Sequence, residues 1–308
     1  MSNRLRPHLA LIAVQFLFGF WPIVGKIVLR SLAPATLTAF RLIGAALAFG
    51  ILQRQLRPLF KMPRRDFLLL VLCSLTGIVG NQLLYVKALS LTTAINAALL
   101  MATIPAFILF VSLLSGSEHW SVKRLLGIVL AGAGVVYLVN PARAELSAET
   151  TLGNLLLIAN AVLYAVYIVI SKPLLQRYGA LNVITWIFLL SAVILLPLGV
   201  YSTQSENLAA ISWGVWLLIG LIILLPTVGA YYLNAWALTH VSPSTVAIYI
   251  YLQPLITFGF AQLLLGEQWN SRTAVATLLI FAGVALVTSR GRSRAMQEIS
   301  EHPDALAH

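Results

Sequence analysis

The side chains here that can do chemistry on a polar solute are amides, one deep arginine and a set of aromatic rings, all within apolar sequence. Gln15, Asn81, Gln82, Asn96, Asn160, Asn234 and Gln253 stand inside long apolar stretches, where each costs free energy unless it faces other helices or water. Gln253 immediately precedes Pro254, and a proline within a helix removes a backbone donor. That places Gln253 first for hydrogen bonding a solute, with Asn81 and Asn160 next. The competing role for such amides is to join helices, at about 1 kcal/mol per bond.

Three bases lie in apolar stretches, Lys26, Arg41 and Lys87. Lys26 and Lys87 fall near stretch ends, where a long side chain reaches the interface. Arg41 lies eight residues beyond position 33, which at ~1.5 Å per residue puts it about 12 Å deep in its span. It either takes helix carbonyls as partners or attracts an anionic group such as a carboxylate. Tyr164 and Tyr167 share one helix face, Tyr231 and Tyr232 open a run with Asn234 and Trp236, and Tyr249 and Tyr251 precede Gln253. Of the rings, Trp21, Tyr85, Tyr167 and Tyr249 are expected to line a cavity suited to an amphipathic solute, because a mid-span hydroxyl needs a partner away from the headgroups.

Hydrolysis and metal chemistry find no footing. The acids, Asp66, Glu118, Glu145, Glu149, Glu206, Glu267, Glu298, Glu301 and Asp304, all avoid the hydrophobic centres, whereas an intramembrane enzyme needs paired carboxylates or His and acid ligands at helical spacing. His8, His119, His240, His302 and His308 fall at stretch ends or in tails, and Cys73 is the only cysteine. There is no Gly-rich phosphate loop. No enzyme activity, cofactor or metal is expected.

The elements that hold these groups are read from hydropathy. Of all residues 60% are hydrophobic and 9% charged, and a helix needs about 20 apolar residues to cross a bilayer. Spans are expected at 9–30, 33–52, 66–86, 92–115, 121–139, 152–174, 181–202, 212–235, 243–265 and 271–289. Each is continuously apolar, unlike the alternating strands of a barrel. The chain also repeats itself 149 positions on: Ala88, Leu89, Pro105, Glu118, Trp120 and Gly134 recur as Ala237, Leu238, Pro254, Glu267, Trp269 and Gly283. Matches at Pro, Glu, Trp and Gly exceed what apolar composition alone produces. Five spans in each half turn the second half over relative to the first. The expected fold is therefore all-α integral membrane, ten transmembrane helices as two inverted five-helix repeats, over residues 1–140 and 150–289, with a disordered cytoplasmic tail at 290–308.

Repeat-related broken helices mark the solute site in carriers, so Pro105 and Pro254 are expected to act as paired hinges beside the cavity. Arg4, Arg6, Arg54, Arg57, Lys61, Arg64, Arg65, Lys123, Arg124, Lys172, Arg177 and the arginines of the tail fall on one side of this arrangement, and only Arg30, Arg143 and Arg272 on the other. That bias puts both termini in the cytoplasm. The net charge of +11 then reports topology and attraction to anionic lipid heads. The partners expected are a small-molecule solute and the lipid bilayer; a homodimer is compatible with the pattern, and nucleic acid is not.

Phe20-Trp21-Pro22 with Lys26, Pro34 followed by Arg41, and Asn81-Gln82-Leu83-Leu84-Tyr85 with Ala88-Leu89 and Pro105 resemble the EamA-type drug/metabolite transporters. The resemblance runs from Leu9 to Ser289, and the Gly80–Leu89 stretch is most similar to the branch with plant nodulin-like amino-acid facilitators. It implies a basket-shaped helical carrier with a central cavity for small organic solutes, often amino acids or amphipathic metabolites. The expected function is a secondary transporter of amino acids or related metabolites in the inner membrane, working by alternating access. The alternatives are a proton-coupled multidrug or metabolite exporter and a lipid-handling membrane protein. With no titratable Asp, Glu or His at the span centres, transport is expected to run down the solute's own gradient.

Overall fold

The computed structural model describes residues 5–53, 62–115, 122–139, 148–241, 243–267 and 271–288. The expected tail at 290–308 lies outside them. Every regular element among the described residues is helical: α1 (Leu5–Val28), α2 (Pro34–Leu52), α3 (Arg64–Ser74), α4 (Gly80–Leu91), α5 (Ala94–Met101), α6 (Ile104–Leu114), α7 (Val122–Val139), α8 (Ala148–Tyr178), α9 (Ala180–Gln204), α10 (Trp213–Ile222), α11 (Ala230–His240), α12 (Pro243–Tyr249), α13 (Leu252–Leu265) and α14 (Ser271–Thr288). A π turn, Leu75–Val79, joins α3 to α4, and a second, Ile223–Gly229, joins α10 to α11. Eight of the resulting rods are long and apolar enough to cross a membrane. The chain is a multi-pass membrane protein.

Helix ends follow local rules. Pro34 opens α2, where its missing N–H would be unpaired in any case. Thr93 accepts a bond from the Asn96 N–H and caps α5. Gly266, in the left-handed region at φ 68°, closes α13, and Gly179, at φ 82°, lets the chain turn from α8 into α9. The prolines that recur 149 residues apart sit just after breaks. Ala102 and Thr103 separate α5 from α6, with Pro105 second in α6; Ile250 and Tyr251 separate α12 from α13, with Pro254 third in α13. At these places a proline costs no helical hydrogen bond.

The halves answer each other element for element. The order α3, π turn, α4, α5, α6, α7 recurs as α10, π turn, α11, α12, α13, α14. Contacts are reciprocal as well: α4 packs on α8 as α11 packs on α1, α6 on α8 as α13 on α1, and α2 on α4 as α9 on α11. Elements that correspond to each other, α7 with α14 and α2 with α9, lie side by side.

Gly77 in the first π turn receives the ring of Tyr167 from α8. A Cβ at that position would stand 2.3 Å from the ring, closer than any side chain accepts, and Tyr167 is only 2% exposed with no room to retreat. Gly77→Ala is expected to lower stability by about 1–3 kcal/mol through overpacking. Thermal unfolding of the purified variant in detergent checks this; an unchanged midpoint would mean that the ring has somewhere else to go.

Candidate functional site

A cavity lies where the two halves meet, lined by Phe18, Trp21, Arg41, Asn81, Gln82, Tyr85, Met101, Ile104, Asn160, Tyr164, Tyr231 and Gln253. Eight helices contribute at once: α1, α2, α4, α5 and α6 from the first half and α8, α11 and α13 from the second. Met101 ends α5 and Ile104 opens α6, so the first break borders the cavity; Gln253, one residue before Pro254, brings the second break to it.

Arg41 is the charged group of this wall and is 1% exposed. Its Cζ lies over the indole of Trp21, 3.9 Å from the ring centroid, a cation–π contact strengthened by burial. Its Nε donates to Thr227 Oγ1 at 3.1 Å. Thr227 belongs to the second π turn and donates in turn to the carbonyl of Ile222, five residues back, at 2.8 Å. The extra residue of a π turn re-aims a side chain in this way and is common at functional sites. Trp21 stacks at 29° against Tyr85, with centroids 6.2 Å apart.

A polar network shares the lining with these groups. Gln82 Nε2 donates to the Tyr231 hydroxyl at 2.6 Å, which donates to Asn81 Oδ1 at 3.3 Å. Asn160 Nδ2 donates to the Asn81 carbonyl at 2.6 Å, and Gln253 Nε2 donates to Gln15 Oε1 at 2.6 Å. Asn234 steadies Tyr164 from behind at 3.1 Å. Networks of this kind fix side-chain positions in a low-dielectric interior. Gln82 and Tyr231 are themselves 149 residues apart, so they occupy matching places in the repeated sequence and touch each other.

The structure brings together Trp21, Arg41, Asn81, Tyr85, Asn160 and Gln253 from the sequence reading. Tyr167 and Tyr249 are not among the lining residues. Tyr167 packs behind the wall against Gly77, its neighbour Tyr164 taking the cavity position, while the Tyr249 hydroxyl lies 2.7 Å from His8 Nδ1, joining α12 to the start of α1. The prolines 105 and 254 flank the site without lining it. Gln253 serves both readings of a buried amide, since it bonds α1 to α13 and still faces the cavity. From sequence, Gln82, Tyr164 and Tyr231 are named among the amides and rings without being placed in the site, and Phe18, Met101, Ile104 and Thr227 are not singled out. The 149-residue offset between Gln82 and Tyr231 was the signal that would have found that pair.

The cavity measures about 60 Å³, room for a few waters at ~10–15 Å³ each and well short of the ~150 Å³ that holds a benzene-sized guest. Any solute larger than that requires its walls to part.

The EamA-like transporter family matches the chain twice, over residues 5–140 and 151–289. The chain belongs to the EamA-like transporter family. An uncharacterized transporter of Archaeoglobus fulgidus is 30% identical over 286 residues, 92% of this chain and 98% of that protein. A WAT1-related protein of Arabidopsis thaliana is 26% identical over 342 residues, 99% of this chain and 88% of its own. A probable terminal-alkyne amino-acid exporter of Streptantibioticus cattleyicolor is 30% identical over 268 residues, 84% of this chain and 86% of that one. A solved crystal structure at 20% identity shares the fold, with a TM-score of 0.65 over 92% of this chain and 96% of that chain. As an EamA-like transporter the chain is a carrier of small solutes in a lipid bilayer rather than an enzyme.

Proposed function

We propose that this EamA-like transporter is a facilitator of small carboxylate-bearing solutes, amino acids or related metabolites, working by alternating access. Its ten rods are read as transmembrane helices in two inverted five-helix repeats, with both termini in the cytoplasm of a cell whose inner membrane it spans. The observation that carries this is the buried Arg41, held on Trp21 and Thr227, facing a cavity walled by both halves and bordered by both helix breaks. A site on the axis between two related halves is the arrangement that rocking of one half against the other exposes to either side. The name of the Streptantibioticus cattleyicolor relative, an amino-acid exporter, agrees in solute class. The cavity contributes aromatic surface for an apolar body and amides for a polar end.

The test is flux into proteoliposomes with a mixed panel of amino acids, organic acids and lipophilic cations. Saturable, mutually competing uptake of carboxylate-bearing solutes is expected; competition by lipophilic cations alone would make the protein a drug exporter. Uptake is expected to reach the equilibrium level and stop, with or without an imposed pH or sodium gradient. None of the lining residues is an Asp, Glu or His, so no group there titrates in the physiological range to couple solute to protons. Accumulation driven by a pH or sodium gradient alone would overturn the facilitator reading.

A further inference from the structure

We infer that, within the carboxylate-bearing class proposed above, the preferred cargo of this cavity is a small organic anion of net charge −1 rather than a zwitterionic amino acid, and that the membrane potential sets the direction in which it moves. The charge balance of the site is the reason. A guanidinium carries five donors. The Nε of Arg41 is taken by Thr227, while its Nη1 is buried with no hydrogen-bond partner among the described residues. No lining residue is acidic, and the tyrosines that share the wall with Arg41, Tyr85, Tyr164 and Tyr231, carry neutral phenols.

Acids that stand near the helix ends are engaged elsewhere. Asp66 is held by Arg177 and Tyr178, Glu206 accepts from the Ala33 N–H, and Glu267 from the N–H groups of Ala94 and Ile95. The site therefore holds one buried positive charge with no counter-charge of its own, a strongly unfavourable condition that an arriving oxyanion relieves through forked bonds to the guanidinium. A zwitterion relieves it less. Its ammonium finds only amide and phenol oxygens, beside a like charge, and the indole face that would attract a cation is already covered by Arg41.

Direction follows from the same balance, on the carrier reading above. Arg41 stays with the protein, so the charge that crosses in one cycle is the cargo's. An inside-negative potential favours exit of a monoanion by about 2.3 kcal/mol per 100 mV, roughly 50-fold in its distribution. The protein would thus export without coupling to any ion.

Three probes with one branched aliphatic frame separate charge from shape: 4-methylpentanoate (−1), L-leucine (0) and 3-methylbutylamine (+1). With purified protein, 4-methylpentanoate is expected to raise the unfolding midpoint and to bind at least tenfold tighter than leucine, and the amine not to bind. Arg41→Lys should keep the order with weaker binding, and Arg41→Gln should erase it. Leucine or the amine binding as tightly as the carboxylate, or no binding of the carboxylate, overturns the inference. In proteoliposomes with a potassium diffusion potential, the carboxylate is expected to distribute toward the positive side about 50-fold per 100 mV beyond protein-free vesicles, and leucine to ignore the potential. A carboxylate carried without response to potential overturns the direction; one that binds and is never carried overturns the carrier reading and leaves the anion site standing.

Discussion

Replacing Glu267 with alanine is expected to open the cavity to the membrane face that carries this residue. Glu267 follows the left-handed Gly266 at the end of α13, and its two carboxylate oxygens accept the Ala94 N–H at 2.7 Å and the Ile95 N–H at 2.9 Å. One carboxylate thereby clasps the start of α5 in the first half to the end of α13 in the second, the two broken rods beside the cavity. Bonds to a charged acceptor are worth about 1.5–3 kcal/mol each, and attraction to the helix N-terminus adds about 0.3–1. Glu267 is half-buried, so water recovers part of this and a net ~2 kcal/mol remains. That shifts an opening equilibrium about 30-fold. The readout is a membrane-impermeant maleimide acting on a cysteine placed at Met101, in a background where Cys73 is alanine. Labelling from that face should quicken about 30-fold in Glu267→Ala and less in Glu267→Gln, which keeps an acceptor. Thr93 still caps α5, so the fold should survive. Equal labelling rates in wild type and Glu267→Ala would remove the clasp.

The repeat offset and the unbroken apolar stretches carried most of the architecture. Each rod among the described residues falls on one of the expected spans, with ends moved by a few residues, and both breaks lie just before the prolines. The rod that lengthens most is α8, expected at 152–174 and observed as Ala148–Tyr178. Its last turns leave the apolar pattern because Arg177 and Tyr178 reach Asp66 instead of lipid, a tertiary cause with no local sign. The π turns were not legible either, since a one-residue insertion in a helix leaves hydropathy unchanged.

At the site, depth singled out Arg41, but its partner Thr227 depended on one of those turns. Tyr164 and Tyr167 share a helix face, and periodicity does not rank them; Gly77, from another rod, draws Tyr167 away from the cavity. Tyr249 is expected at the cavity because a mid-span hydroxyl needs a partner away from the headgroups. The partner exists outside the cavity: on α12, before the break at Ile250 and Tyr251, the Tyr249 hydroxyl meets His8.

Pro254→Ala is expected to slow transport at least tenfold without lowering folded yield. In the structure the chain around this proline is drawn into three-residue turns, Ile250 N–H to Ala247 O at 3.1 Å and Gln253 N–H to Ile250 O at 3.0 Å, and the matching break repeats the form, Thr103 N–H to Leu100 O at 3.1 Å and Ala106 N–H to Thr103 O at 3.0 Å. Proline stabilises such a break by exclusion, because a continuous helix through residue 254 would cost it about 3 kcal/mol. Alanine removes that exclusion and supplies an N–H able to reach the Ile250 carbonyl, so that α12 and α13 can join into one straight rod. Stability should hold or rise, while the rod loses the joint about which its cavity-side half turns. Pro105→Ala should act in the same direction on the rod of α5 and α6, and the double variant should be slower than either. Initial rates of exchange in proteoliposomes, set beside unfolding midpoints, separate a hinge from a packing role. A hinge lowers the rate at unchanged midpoint, and a lost packing contact lowers both. Wild-type rates in both single variants would leave the breaks as bends with no part in the transport cycle.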